Sequence, residues 1–164
     1  MANIKEIIAE LKMESANTRK MIERIPTDKL DWRVHDKSMK LGRLATHIAQ
    51  IPAWVNRVLD ADDFDFATYA FSASKDTAEA ILEEFDKHLA DALSALEEAD
   101  DAVLDKTWVV RRGDQVFYQL PKKVGLRNFA LNHLYHHRGQ LSVYLRLLGI
   151  PVPGMYGPSA DEAM

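Results

Sequence analysis

Four long stretches in which apolar residues recur every three or four positions constrain this chain more than any other feature of its sequence. Such spacing is typical of amphipathic helices, which bury one stripe of side chains. The first stretch runs from Ile4 to Ile25, and Pro26 ends it because a residue before proline is pushed out of the α region. The other three begin near Ser38, near Ser74 or Asp76, and near Pro121 or Gly125.

The number of these stretches predicts an all-α fold. Four helices of about 20 residues each are typical of a four-helix bundle, and 164 residues suit a single domain spanning residues 1–164. Pro52 falls inside the second stretch and predicts a kink there. Asp76 and Glu79 resemble a capping box, and Gly149 is placed to cap the fourth helix. The connections leave the topology open, with up-down-up-down as the default.

The segment TWVVRRGDQVFYQL lies between the third and the fourth stretch. Two runs of residues that favour strands flank Arg112-Gly113-Asp114, a sequence suited to a turn. We therefore expect a short extended or hairpin segment between helices 3 and 4.

The composition narrows the classes of function and the types of metal ligand. The net charge of −4 disfavours a general nucleic-acid binder, which needs a basic face. The chain has no cysteine, so any metal ligands must come from His, Asp or Glu. The charged N-terminal sequence is unlike a signal peptide, and no run reaches the 18 or so apolar residues of a membrane span. These features predict a cytoplasmic protein that does not enter the membrane.

Three of the six histidines lie in the segment NHLYHHRGQL of the fourth stretch. At about 100° per residue, His133 and His137 fall within about 20° of Leu126 on either side, inside the apolar sector. His136 falls about 80° away, towards solvent. Two imidazoles four residues apart on one helix face can reach the same metal ion. The alternative is that each buried ring forms a hydrogen bond to a neighbour and holds no ion.

A third ligand is needed to favour a metal site over that alternative. His47 lies on the flank of the apolar stripe of the second stretch, and neighbouring bundle helices lie close enough for its ring to meet the other two. His35 and His88 are interpreted as structural.

Several residues near the histidines receive their own interpretation. Arg138 faces away from the stripe, which favours a surface or dimer salt bridge. Gly139 is consistent with a close helix crossing. Gln140 is interpreted either as a contact to His137 or to a substrate, or equally as a polar side chain at a helix boundary. The tail residues Asp161 and Glu162 would reach the site only if the tail folded back, and they are more simply explained as surface residues.

Two segments resemble the DinB-like superfamily, also called DinB/YfiT-like proteins: KSMKLGRLATHIAQIPAW and NHLYHHRGQLSVYLRLLGIPVPGMYGPSADE. The resemblance covers about residues 32–162. It implies a four-helix bundle in which His47, His133 and His137 hold a divalent metal ion such as Zn, Ni or Fe. It also implies that the protein forms a homodimer. Enzymes of this superfamily include transferases and isomerases that use low-molecular-weight thiols such as bacillithiol or mycothiol.

Three functions are compatible with these observations. The first is a metal-dependent enzyme, of thiol-dependent S-transferase or hydrolase type, that acts on a small molecule through open coordination positions. The second is a non-catalytic stress-response or dimerisation bundle in which the metal is structural. The third is a bundle whose buried histidines hold no metal. Solvent access to the histidines separates the first from the second, because a structural site is closed by four ligands.

Overall fold

The computed structural model describes residues 3–70 and 72–162 and is mainly helical. Its helices are α1 Ile4–Ile22, α2 Leu41–Gln50, α3 Trp54–Asp60, α4 Ala78–Glu98, α5 Lys122–Gly125 and α6 His133–Leu147. A small sheet contains β1 Asp63–Asp65, β2 Thr107–Arg112 and β3 Gln115–Pro121. The predicted bundle is confirmed: α2 and α3 together form its second helix, and α5, a π-helical segment Leu126–Asn132 and α6 form its fourth.

The second bundle helix bends where the proline predicts a kink. A 3₁₀ turn, Ile51–Ala53, separates α2 from α3 and contains Pro52. The start of α2 differs from the prediction, because Lys40 rather than Ser38 is the N-cap residue and its side chain makes no capping bond.

Backbone carbonyls of the preceding loop replace a side-chain cap on α2. The N–H groups of Leu41 and Gly42 donate to the carbonyls of Trp32 at 2.7 Å and Leu30 at 2.8 Å. Two donors of the first turn, which otherwise lack partners, are thereby satisfied.

The N-terminal caps of α1 and α4 come from side chains. In α1, Asn3 and Glu6 form a capping box. The predicted box at Asp76 is wrong by one residue, because the Thr77 side chain accepts the Ala80 N–H and caps α4. α4 buries a single apolar stripe, whereas the buried residues of α1 include Glu14, Ser15 and Thr18 as well as apolar side chains.

The order and direction of the helices follow from residue pairs that contact across their interfaces. The pairs are Lys12–Glu97 and Arg19–Asp86 between α1 and α4, Gln50–Glu84 and Asn56–Asp91 between α2–α3 and α4, and Met39–Tyr144 and His47–His133 between α2 and α6. α4 is therefore antiparallel to α1 and parallel to α2, and α6 is antiparallel to α2. The topology is up-down-down-up, so the default of up-down-up-down is wrong. The parallel second and third helices require the long connection over residues 61–77.

The predicted hairpin is confirmed, with Gly113 at φ +57° in its turn. β2 pairs with β3 in antiparallel fashion, and β1 adds a parallel strand on the other edge of β2, which the sequence analysis did not predict. The sheet covers one end of the core, where Trp108 is completely buried. In the described ranges 3–70 and 72–162, none of the helices combines the length and apolar composition needed to cross a membrane.

Two glycines of the fourth bundle helix lie in opposite surroundings and allow a matched test of packing. A Cβ on Gly125 would lie 2.9 Å from Cε3 of Trp108, whose ring is buried, whereas a Cβ on Gly139 would meet nothing within 4 Å. The expected close helix crossing at Gly139 is therefore wrong, because the tight contact is at Gly125.

We predict opposite effects of alanine at these two positions. Gly125→Ala overpacks the core and should lower the free energy of unfolding by about 1–3 kcal/mol. Gly139→Ala should raise it by about 0.5–1 kcal/mol, because alanine favours the helix and the position is open. Urea unfolding of the two variants beside the wild type measures both changes. Destabilisation of similar size in both variants would contradict the assignment of the close contact to Gly125.

Candidate metal centre

The first histidine of the centre lies on a helix that is almost wholly buried. Eight of the ten residues of α2 are buried, and only Arg43 and His47 keep partial access to solvent. The His47 ring points towards α6, where its Nε2 lies 3.1 Å from Nε2 of His133.

A backbone carbonyl of the π-helical segment orients the second histidine. The backbone N–H of His133 donates to the Ala130 carbonyl. In an α-helix its partner would be the Phe129 carbonyl. That carbonyl instead lies 3.3 Å from the His133 ring nitrogen Nδ1. A carbonyl can only accept, so Nδ1 carries the proton and Nε2 presents its lone pair to His47. π-Helical turns are frequent at functional sites.

Gln140 orients the third histidine. Its Oε1 lies 2.7 Å from Nδ1 of His137 and accepts the ring N–H. Nε2 of His137 is therefore left with a free lone pair. This observation confirms the predicted contact between Gln140 and His137. A partner on the second ring nitrogen is the usual arrangement for a metal-bound histidine, because it fixes the tautomer and the ring orientation.

The three histidines that the sequence analysis selected converge on one point. One ring nitrogen of each lies within 4.8 Å of the others. The ring centroids of His47 and His133 are 4.9 Å apart, those of His47 and His137 4.6 Å, and those of His133 and His137 4.7 Å. Two nitrogens on a tetrahedral zinc ion lie roughly 3.3 Å apart, given Zn–N bonds of about 2.0–2.1 Å. The donor type and the tautomers of His133 and His137 therefore suit a divalent ion, and the three nitrogens are near enough that small ring movements would bring them to this spacing.

Burial keeps the three rings neutral. Burial lowers the pKa of His47 to about 4, and repulsion from His137 and His133 contributes. Burial likewise lowers the pKa of His137 to about 4, against the opposing hydrogen bond to Gln140. The pKa of His133 is lowered mainly by burial. Neutral imidazole is the form that binds a metal, so ligand atoms are available at neutral pH.

Solvent reaches the cluster from one side. His47 and His133 are partly exposed, and His133 borders an open depression of about 340 Å³ with Asn128, Phe129, Asn132 and His136. His136 is exposed, as the helical spacing predicts. A larger cleft of about 950 Å³ lies between α3 and α4, but none of the three histidines borders it.

Arg138 is buried, and the prediction of a surface or dimer salt bridge is wrong. Its Nη2 lies 2.6 Å from Oε2 of Glu14, and both side chains are only 5% exposed. The guanidinium also donates to the Glu14 carbonyl, to Thr18 and to the Tyr156 hydroxyl. The Tyr156 hydroxyl in turn donates to Glu14 at 2.8 Å, so the C-terminal tail covers this pair.

The remaining sequence candidates lie outside the cluster. His35 is exposed and its Nδ1 accepts the Lys37 N–H, while His88 contacts Glu84 at 3.8 Å. Asp161 pairs with Arg146 at 2.7 Å. Glu162 accepts the Gly154 N–H, so the tail carboxylates bind neighbouring residues. Arg43 is not among the predicted site residues, although its position four residues before His47 is a signal that could have identified it.

The fold and the cluster define a class of helical bundle with a three-histidine group that could hold a metal. The sequence model of the DinB family matches residues 1–164, and the chain belongs to that family. The chain is 26% identical over 155 residues to the uncharacterized protein YrdA of Bacillus subtilis strain 168, in an alignment that covers 92% of this chain and 86% of YrdA.

Two solved structures share the fold. A DinB-like protein from Bacillus cereus ATCC 10987 matches with a TM-score of 0.75 and 23% identity, over 94% of this chain and 98% of that protein. The DinB-like protein YjoA of Bacillus subtilis matches with a TM-score of 0.73 and 19% identity, over 94% of this chain and 99% of YjoA. At these identities the likeness concerns the fold alone.

The lowered pKa values predict that the metal-free protein loses stability in mild acid. Between the ordinary histidine pKa of 6.5 and about 4, the unfolded chain binds protons that the folded cluster does not. The stabilising contribution of the neutral rings is therefore complete above pH 6.5 and is lost as the pH falls towards 4. We expect His47→Gln to weaken this dependence, measured as the difference in urea midpoint between pH 7 and pH 5 in the presence of a chelator.

The matched control for this measurement is His35→Gln, because His35 is exposed and lies outside the cluster. It should leave the difference between the two midpoints unchanged. An equal difference in wild type and His47→Gln would show that the cluster does not cause the acid sensitivity.

Proposed function

We propose that this chain is a metal-dependent enzyme that binds one divalent ion through His47, His133 and His137 and acts on a small molecule. The observation that carries the proposal is the convergence of three neutral imidazoles. The ring N–H groups of His133 and His137 are already hydrogen-bonded, to the Phe129 carbonyl and to Gln140. The reaction that fits best is a thiol-dependent S-transfer or a hydrolysis. Zn, Ni or Fe would suit an all-nitrogen donor set.

The donor count supports a catalytic rather than a structural role. A structural zinc site is normally closed by four protein ligands, whereas catalytic sites combine three protein ligands with an exchangeable position. In residues 3–70 and 72–162, no Asp, Glu or further His joins the three histidines within ligand range. The partial exposure of His47 and His133 gives a small molecule a route to the cluster.

The metal ion and the protein side chains would contribute different parts of the chemistry. A divalent ion held in this way supplies a Lewis acid that activates a water or a thiol near neutral pH. The Phe129 carbonyl and Gln140 hold His133 and His137 in one tautomer, so the ligand set is oriented before binding. Phe129, Asn128 and Asn132 line the depression beside His133 and would contact a bound substrate.

We predict that metal content depends on the three histidines. Protein produced without a His tag should contain about one divalent ion per chain, and His133→Ala should reduce this content to near zero because two ligands bind far more weakly than three. Elemental analysis after gel filtration measures the content. His88→Ala is the matched control and should keep the ion. Equal metal content in wild type and His133→Ala would remove the site from consideration.

An exchangeable ligand position would distinguish a catalytic metal site from a structural one. In the full chain loaded with Co(II), 2-mercaptoethanol should produce a cobalt–thiolate charge-transfer absorption in the near ultraviolet, because an open position accepts the thiolate. Imidazole at matched concentration serves as a second exogenous ligand and should change the visible cobalt spectrum. Spectra that respond to neither compound would indicate a closed, structural site.

Other expectations from the sequence remain predictions. These are the homodimer and the low-molecular-weight thiol, which the family resemblance implies, together with the cytoplasmic location and the single domain. The edge strand β3 exposes Val116, Phe117 and Tyr118, which makes it a surface to examine if a dimer forms.

A further inference from the structure

An arginine lies one helical turn before the first histidine of the cluster. Arg43 and His47 are the only residues of α2 that are not buried, and they are four positions apart. Residues with this spacing lie one above the other on a helix face, with Cβ atoms about 5–6 Å apart. The guanidinium group of Arg43 therefore lies on the same face of α2 as His47, close enough for its charge to act on that ring.

Arg43 forms no ion pair with a described carboxylate, although Asp28, Asp31 and Asp76 line the same depression of about 350 Å³. Among the described residues, its single hydrogen bond is from Nη1 to the Ser72 carbonyl at 3.1 Å, and no Asp or Glu lies within 4.0 Å of it. Arg138, one residue after His137, provides the contrast because Glu14 neutralises it. The positive charge of Arg43 also contributes to the lowered pKa of His47, after burial and the two other histidines.

The chemistry of the guanidinium identifies a complementary ligand. It presents five N–H donors in a planar fork that matches a carboxylate in two-point fashion. The Ser72 carbonyl occupies one of these donors and holds the side chain beside α2. The remaining donors and the unpaired charge suit an anionic group about one helical turn from the centre.

We propose that Arg43 binds the carboxylate of a small molecule whose donor atom reaches the three-histidine centre. This assignment rests on the proposed function of the centre and specifies its substrate class, a small acid rather than a neutral or cationic molecule. Arg43 then sets the orientation and the charge preference of the ligand, while the histidines hold the ion.

Two thiols that differ in charge provide the test. The full chain loaded with Co(II) is titrated at low salt with 3-mercaptopropionate and, separately, with 2-mercaptoethanol, and the cobalt–thiolate absorption gives a Kd for each. Comparing the ratio of the two Kd values between wild type and variant cancels the intrinsic affinity of each thiol for cobalt. The variants are Arg43→Gln, which removes the charge, and Arg43→Lys, which keeps it without the planar fork. Arg112→Gln is the matched control, because Arg112 is exposed on the hairpin.

In the wild type we expect the acid to bind about tenfold more tightly than the neutral thiol, the effect of one charge-assisted interaction. Arg43→Gln should bring the ratio close to one with cobalt binding unchanged, Arg43→Lys should give an intermediate ratio, and Arg112→Gln should match the wild type. A wild-type ratio near one, or a ratio that Arg43→Gln leaves unchanged, overturns the inference and leaves the metal centre standing. No thiolate absorption with either compound overturns the open site itself, and the inference with it.

Discussion

The burial of three neutral imidazoles between α2 and α6 is the constraint on which the rest of the site depends. An unpartnered polar group in this position would cost roughly 1–3 kcal/mol. The fourth bundle helix satisfies two of the ring N–H groups locally, at the Phe129 carbonyl and at Gln140. With these N–H groups bound, the other ring nitrogens of His133 and His137 present lone pairs towards His47 across the interface between α2 and α6. A proton shared between His47 and His133 compensates only one pair of nitrogens, whereas a divalent ion compensates all three.

A second buried interaction holds the fourth helix in position on its other side. Consecutive residues of α6 contact different helices, because His137 faces α2 and Arg138 faces α1. Removing one partner of a buried ion pair leaves an uncompensated charge, so the Glu14–Arg138 pair resists sliding or rotation of α6 against α1. The Tyr156 hydroxyl completes the hydrogen bonding of the pair. The tail thereby contributes to the placement of His137 without touching it.

Local sequence signals were sufficient for the helices, the hairpin and the inward pair His133 and His137, whereas His47 was added from its place on the second apolar stripe and from the family resemblance. These signals were insufficient for chain direction, since the connection over residues 61–77 can join either parallel or antiparallel helices. They also failed for Arg138, because one apolar stripe marks only one buried face. α6 has two buried faces. The face against α1 contains the Glu14–Arg138 ion pair, and charged residues of this kind predict an exposed surface when only the sequence is known. The three residues of β1 are too few to show alternation.

All the candidate ligands come from one side of the centre, which is consistent with the open coordination position that the proposed function requires. All three histidines come from α2 and α6, and the described parts of α1 and α4 add no ligand. Arg43, held by the Ser72 carbonyl, lies one helical turn before His47, and Asn128 and Asn132 line the depression that His133 borders. A cation and neutral amides do not close a metal site as a carboxylate or a fourth imidazole would. The same groups are well suited to binding the polar part of a small anionic molecule.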